Sequence, residues 1–357
     1  MKILKTLVLY KSTSDTMSHH VGWVSFFAKH RRFKCEFLNL KKMNLISVRI
    51  WDLKIKFSSY DLIICLHSTN SNGIAIPKRL IDALNQTKSY KIVFLGNEYK
   101  IMPEKITMVK SINPNIVISN KSQRAILSLY SQATNCKTIH ISLAAFDEKE
   151  FENCLSSKLR KIDIGFRASP EPIYFGHQDR DLISKYFNEF SKSNNFSSNI
   201  SLNKNKRFSM NDFFKFNFNC RFQLATEGGT DFFSLDDSPR NAVNNYLVLH
   251  KNATLDEIRK KVLLPNFKEL KSRSISTRHV ESAMTETVQI MFQGYYNNYF
   301  KADIHYLPVD KGLDNRNEIL EKMRDVSYCS KLSKNMKELA FEKFEYSKIL
   351  NKIANLI

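Results

Sequence analysis

The chain has 357 residues, 43% of them hydrophobic, with 55 Lys and Arg against 35 Asp and Glu for a formal charge of +20. That hydrophobic share excludes disorder by composition, and the length fits two domains better than one core. The charge either draws polyanions (nucleic acid, anionic lipid headgroups, phosphorylated substrates) or reflects lysines spread over solvated faces.

Residues 3–10 read as a first strand, 18–29 as a helix and 33–40 as a second strand. The run Tyr60–His67 (YDLIICLH) has the continuous apolar character of a central parallel strand. Pro77 opens a helix reaching Gln86, where its missing N–H costs nothing. Lys91–Asn97 and Asn115–Ser119 are further strands, Ser122–Ser131 is a helix, and Thr138–Leu143 closes the series. After a polar, charged join near 144–158 the pattern restarts with strand Lys161–Phe166 and a loop holding Pro170, Pro172 and Gly176. A helix over Arg180–Phe190, a short strand near Ile200 and a strand over Arg221–Thr226 follow. Ala242–Leu249 and Thr254–Leu263 are helical, the second opened by a Thr254/Glu257 capping box. A single helix is expected over Arg278–Gln293, then a strand over His305–Val309 and a helix over Asn317–Val326.

This alternation predicts an α/β protein of two facing Rossmann-like domains, residues 1–150 and 158–330. The tail, 331–357, is expected as an amphipathic helix packing back across the lobes, although its lysines also suit a membrane surface. The six cysteines are scattered without a CxxC pair, as in reduced thiols of a cytosolic protein. The first ten residues read as a strand rather than a secretion signal, and no apolar stretch of about 18 residues occurs. Membrane contact is therefore expected to be peripheral at most. Asp236 and Asp237 are adjacent rather than spaced as Asp-x-Asp, so neither a divalent ion nor another cofactor is expected.

Four residues near the start of the helix expected from Arg278 invite a chemical reading: Arg278, Glu281, Thr285 and Thr287. A helix start offers free N–H groups and partial positive charge to phosphate. A carboxylate one turn in can accept from two ribose hydroxyls, and a guanidinium can neutralise a diphosphate. Spacing alone fits a solvated helical face with an incidental Arg and Glu better.

RHVESAMTETVQ resembles the R-x-x-E-A-x-A-x-G-T-x-Q block of GT-B glycosyltransferases, in the bacterial branch related to spore-coat and polysaccharide enzymes. HYLPVDKGLDN resembles the H-Y-x-P-L-x-x-D-x-S-N block of that branch. IDIGFRASPEPIYFGHQDRDLI and LATEGGTDFFSLDD are similar to its D-I-G-Y-R and E-G-G-S stretches. The resemblance implies a nucleotide-sugar donor held mainly by the C-terminal lobe. On it, Glu281 would bind the donor ribose, with Arg278, Thr285 and Thr287 along the nucleotide and diphosphate. Arg167 and Arg180 would reach the phosphates, Gly176 would allow a tight turn, and Glu227, Gly228, Gly229 and Thr230 would line the ligand. His305 and Asp310 would sit at the cleft rim. Two positions depart from the pattern: Ser282 stands for Ala, and Glu286 replaces a small residue and is expected to crowd the donor.

Asp15 and His19, with His20 beside it, follow the first strand, and Glu98 follows KIVFLGN. Each is a candidate base for the acceptor hydroxyl's proton in an inverting transfer, whereas a retaining one would need no such base. Asp15 also suits a helix N-cap, and the histidines a solvated surface. The partners implied are a nucleotide sugar and a glycan or lipid-linked glycan acceptor, such as lipopolysaccharide or capsule, at the inner face of the cytoplasmic membrane. No helix-turn-helix, zinc-finger or RNP-like motif points to nucleic acid. The alternatives are a nucleic-acid-binding protein, suggested by the charge, and an inactive GT-B glycan-binding protein, suggested by Glu286.

Overall fold

The computed structural model describes residues 2–11, 18–41, 56–152, 160–206 and 208–357. In the N-terminal lobe the elements run β1 (Leu4–Tyr10), α1 (Ser18–Lys29), β2 (Phe33–Asn39), β3 (Leu62–Cys65), α2 (Lys78–Gln86), β4 (Tyr90–Phe94), α3 (Met102–Ile112), β5 (Ile116–Ser119), α4 (Arg124–Thr134) and β6 (Lys137–His140). The six strands form one parallel sheet in the order β2-β1-β3-β4-β5-β6. All four residues of β3 and of β5 are buried, because helices cover both faces of the sheet.

The C-terminal lobe repeats the plan with β7 (Ile162–Arg167), α5 (Asp179–Ser193), β8 (Ser198–Ser201), α6 (Met210–Asn219), β9 (Cys220–Ala225), α7 (Ser238–Leu249), α8 (Thr277–Met284), β10 (Val288–Phe292) and β11 (Leu307–Val309). Its parallel sheet has the order β11-β10-β9-β7-β8. Strand order reverses between β1 and β3 in one lobe and between β7 and β9 in the other. In doubly wound sheets a ligand crevice opens outside the carboxyl ends of the strands at such a point.

The helix expected over Arg278–Gln293 divides in two. α8 stops at Met284, Glu286 takes a left-handed φ of 53°, and Val288–Phe292 becomes the fully buried strand β10. A β-branched and aromatic run favours a central strand over helical continuation. The Thr254 hydroxyl does accept from the Glu257 N–H, but the Glu257 carboxylate turns to Tyr246 and Lys261 and completes no box. The helix there continues through a π-turn at Arg259–Leu263. Two helices not expected from the sequence, α3 and α6, fill the gaps between strands.

The tail is two helices: α10 (Val326–Phe344), preceded by α9 (Arg316–Arg324), and α11 (Tyr346–Ala354). The turn between α10 and α11 is fixed by Glu345, whose carboxylate caps α11 by accepting from the Ser347 and Lys348 N–H groups. Leu332, Met336 and Ala340 pack on the C-terminal lobe, whereas Ile349, Leu350 and Ile353 join the core of the N-terminal one. There Phe26 stacks on Tyr346 with ring centroids 4.9 Å apart. The outgoing and returning chain run side by side: Phe146 donates to Phe344 O at 3.1 Å, and Tyr346 donates to Phe146 O at 3.0 Å.

Candidate functional site

The carboxyl edges of the two sheets meet. Directly after β5, Asn120 Nδ2 donates to Ser274 Oγ at 3.3 Å, Lys121 Nζ to Ser272 O at 2.7 Å, and Gln123 Nε2 to Arg273 O at 2.7 Å. Asn297 Nδ2 returns bonds to Asn120 O and Ser122 Oγ. On the other side Tyr99, from the loop after β4, meets Phe175 edge to face at 4.8 Å.

At the β7/β9 reversal the chain forms a short ribbon. Gly228 and Ser274 exchange backbone bonds at 2.9 Å, and Ser272 donates to Thr230 O at 2.8 Å. Gly229 sits inside it with φ 114°, and a Cβ there would lie 2.0 Å from Ser272 O. Gly176 has φ 76° and backs onto the Phe232 ring. The Thr230 hydroxyl donates to Phe175 O at 3.1 Å, joining that turn to the ribbon. Glu227 is anchored from below, accepting the N–H groups of Tyr295 at 3.1 Å and Tyr296 at 2.6 Å. Burial raises its pKa, and the two N–H groups oppose that.

A buried ionic network lies beside the ribbon. Arg273 Nε and Nη2 donate to the two Asp231 oxygens at 2.7 and 2.9 Å, while Nη1 donates to Asp179 at 2.9 Å. Lys311, in the loop after β11, donates to both Asp179 oxygens at 3.1 Å. Asp179 starts α5, so this contact spans the mouth of the sheet over the ends of β10 and β9. Burial works against the Asp179 charge, but Arg273, His177 and Lys311 outweigh it and hold its pKa below the usual value. Glu171 accepts from the Arg180 N–H at 2.9 Å and lies 3.5 Å from Arg180 Nε. Burial still pushes it to about 7. Burial takes His177 down to about 4, so its 3.6 Å approach to Glu171 is no ion pair at neutral pH. The His177 Nε2–H donates to Gly229 O at 2.9 Å.

The residues singled out in the sequence fall into three groups. Gly176, Arg180, Glu227, Gly229, Thr230 and Asp310 all lie at the carboxyl edge, Asp310 accepting from Gln293 Nε2 at 3.0 Å. The start of α8 is at this edge too, because the helix runs antiparallel to the strand it precedes. Arg278 lies over the Phe166 and Phe213 rings, and Glu281 is buried one turn further in. Ser276 and His279 cap that helix reciprocally. Arg167 ends β7 at the same edge, but its side chain turns toward β8: it donates to Asn199 O at 2.7 Å and lies between the Phe208 and Phe216 rings.

Thr285, Thr287 and His305 sit at the opposite, amino end of the strands. Thr287 precedes β10, and its hydroxyl donates to Asn217 O and accepts from Arg160. Arg160 also donates to Thr285 O and Glu286 O. His305 precedes β11 and accepts the Lys301 N–H. The expectation that Glu286 crowds the donor is corrected by the same geometry. Its side chain points to Lys337 of α10, a whole strand length from the carboxyl edge.

In the N-terminal lobe Glu98 is buried, accepting from Ser119 Oγ at 2.5 Å and from the Asn120 N–H at 2.8 Å. Its loop is tied down by Lys105, whose ammonium donates to Gly96 O, Asn97 O and Lys100 O. Asp15 lies outside the described residues, and His19 falls in α1 with its side chain outside the described set.

No family model and no curated protein matches the sequence. Solved structures do resemble the chain along its whole length. An α-glucosyltransferase in complex with UDP-glucose and DNA containing an abasic site has a TM-score of 0.62 at 8% identity, covering 99% of each chain. A glycosyltransferase from Rickettsia africae has a TM-score of 0.56 at 11% identity, covering 100% of this chain and 98% of its own. HepE from Anabaena, in complex with UDP and glucose, has 0.53 at 11%, covering 99% of each. The fold is GT-B.

Within this GT-B frame several residues of the site were not singled out in the sequence: Lys121, Glu171, His177, Asp179, Asp231, Arg273 and Lys311. Asp179 adjoins Arg180 and carries a visible signal, an acidic residue at a helix start. Arg273 and Asp231 have none, because only the fold brings two residues 42 apart side by side. Among the described residues no cluster of three or more His, Cys, Asp or Glu side chains could hold a metal ion, and no helix is long and apolar enough to cross a membrane.

Proposed function

We propose that the protein is a glycosyltransferase that moves a hexosyl or related sugar from a nucleotide diphosphate sugar to a glycan hydroxyl. One observation carries this: along the carboxyl edge of the C-terminal lobe's strands lie a Gly229 ribbon, the start of α8 and the cations Arg180, Arg278 and Lys311. That is the chemistry a sugar diphosphate needs. In the reaction the acceptor oxygen bonds to the anomeric carbon, the bond from that carbon to the diphosphate oxygen breaks, and the nucleoside diphosphate leaves with the electron pair. The acceptor proton passes to a base of the N-terminal lobe.

Glu281 is proposed to hold the ribose hydroxyls and Arg278, Arg180 and Lys311 the diphosphate. Asp15, His19 and Glu98 are the proposed bases, Glu98 held in place by Ser119 Oγ and the Asn120 N–H. The fold neighbours bound to UDP or UDP-glucose make uridine donors the first to try. The acceptor is proposed to be a surface or lipid-linked glycan met at the cytoplasmic face of a membrane, with no metal and no nucleic acid required.

A thermal-shift series with UDP, GDP and their sugars tests the reading. UDP-glucose or a related donor raises Tm, and Glu281→Ala removes that rise. A flat series across all donors overturns it, whereas donor binding without transfer assigns a binding protein on the same scaffold.

A further inference from the structure

Lys121 belongs to the N-terminal lobe, two residues beyond β5, yet its ammonium ends inside the other lobe. It is 4% exposed, donates to Ser272 O at 2.7 Å and Ser274 Oγ at 3.0 Å, and would meet a Cβ on Gly229 at 3.0 Å. Both acceptors lie on one arm of the ribbon that brings Gly228–Thr230 to the β7/β9 reversal. Ser272 O is the very carbonyl that forbids a side chain at Gly229. Burial lowers the Lys121 pKa, while Glu98 of its own lobe and Glu227 of the opposite lobe work to keep the charge; Arg273 opposes it.

A buried ammonium costs several kcal/mol of desolvation unless it is well bonded. A neutral donor would link the lobes without that cost. Here the cation spends its hydrogen bonds on Ser272 and Ser274, a segment that has its own backbone pairing. We infer that Lys121 is a positioning residue, an N-terminal-lobe cation that sets the Gly228–Thr230/Ser272–Ser274 ribbon for the donor bound by the C-terminal lobe. The donor site is then complete only when both lobes are docked. The inference rests on the proposed function for the donor, but not for the ribbon.

The test has two arms on the full chain. In the first, amide hydrogen exchange compares wild type with Lys121→Met and Ser274→Ala. Exchange at Gly228, Ser272 and Ser274 accelerates at least tenfold in Lys121→Met and less in Ser274→Ala, while Ile290 and Met291 in β10 keep wild-type protection. Unchanged ribbon protection in Lys121→Met overturns the inference, as does a loss spread evenly over the lobe. Should Lys121→Met fail to fold, Ser274→Ala and Lys121→Arg decide: a ribbon-confined acceleration below tenfold is expected in the first and a smaller one in the second, and unchanged ribbon protection in both overturns the inference.

In the second arm UDP-glucose is titrated by calorimetry. Lys121→Met weakens Kd at least tenfold, and Lys121→Arg recovers part of the loss. A loosened ribbon with wild-type Kd overturns the positioning role. Failure of wild type itself to bind any nucleotide sugar counts against the proposed function and removes the donor from the inference, while the exchange arm still decides whether Lys121 holds the ribbon.

Discussion

Arg273 and Asp231 lie side by side in the C-terminal lobe with two parallel N–H···O bonds of 2.7 and 2.9 Å, both residues 5% exposed. Removing one partner of such a pair strands the other charge away from water. Arg273→Met is expected to cost about 3–5 kcal/mol in urea unfolding, and Arg273→Met with Asp231→Leu to recover much of it. A loss below about 1 kcal/mol in the single variant would show that the pair bears no such strain.

Gly229→Ala places a Cβ against Ser272 O in a backbone region that L-residues rarely adopt. The expected cost is about 2–4 kcal/mol of stability, with donor binding lost together with the ribbon. Thermal unfolding with and without UDP-glucose measures both.

Glu286 and Thr287 make the opposite prediction, because they sit at the amino ends of the strands. Glu286→Gly relieves a left-handed φ of 53° at the expense of an exposed contact to Lys337. Stability is expected to stay level or rise by up to about 1 kcal/mol. Thr287→Val loses the bonds to Arg160 and Asn217 and costs about 1 kcal/mol or more. Neither change is expected to move the affinity for a nucleotide sugar by more than about twofold, and a larger loss would relocate the site.

Acid sensitivity follows from two buried imidazoles. Burial lowers His177 to about 4 and His279 to about 3, against 6.5 for the free side chain. The unfolded chain binds those protons first, so the stability the neutral rings contribute is complete above pH 6.5 and is lost as pH falls. Glu171, raised from 4.5 to about 7, has the reverse sign: its contribution is complete below pH 4.5 and fades as pH rises to 7. Between about pH 4.5 and 6.5 these three groups leave a net rise of roughly 1.4 kcal/mol per pH unit. Glu171→Gln is expected to about double that slope in unfolding titrations, and an unchanged slope would refute the assignment.

The strands were readable because the central ones, β3 and β5 above all, are nearly continuous apolar runs, and the alternation of such runs with helical patterns pointed to two doubly wound lobes. The helix drawn over Arg278–Gln293 failed for one physical reason. Glu286 is neither Gly nor Pro, so nothing local announced the left-handed residue that ends α8. Helix α3 was hidden by Lys105, a charged residue at a core position whose three carbonyl partners appear only after folding. In the site, the glycines and Glu227 were legible as a turn. Thr285 and Thr287 looked equally eligible, because sequence spacing does not say at which end of a strand a residue falls. The Arg273 network was illegible, being made of single charges drawn from separate loops.

The two neighbouring chain passages at Phe146 and Phe344–Tyr346 bear on how the molecule is made. Ile349, Leu350 and Ile353 complete the hydrophobic core of the lobe whose strands end at His140. During synthesis that first lobe leaves the ribosome with part of the α1 face uncovered, and it stays so until α11 emerges some two hundred residues later. Its closure therefore waits on the synthesis of α11, and truncation ahead of residue 346 is expected to leave the N-terminal lobe, rather than the C-terminal one, as the aggregating part.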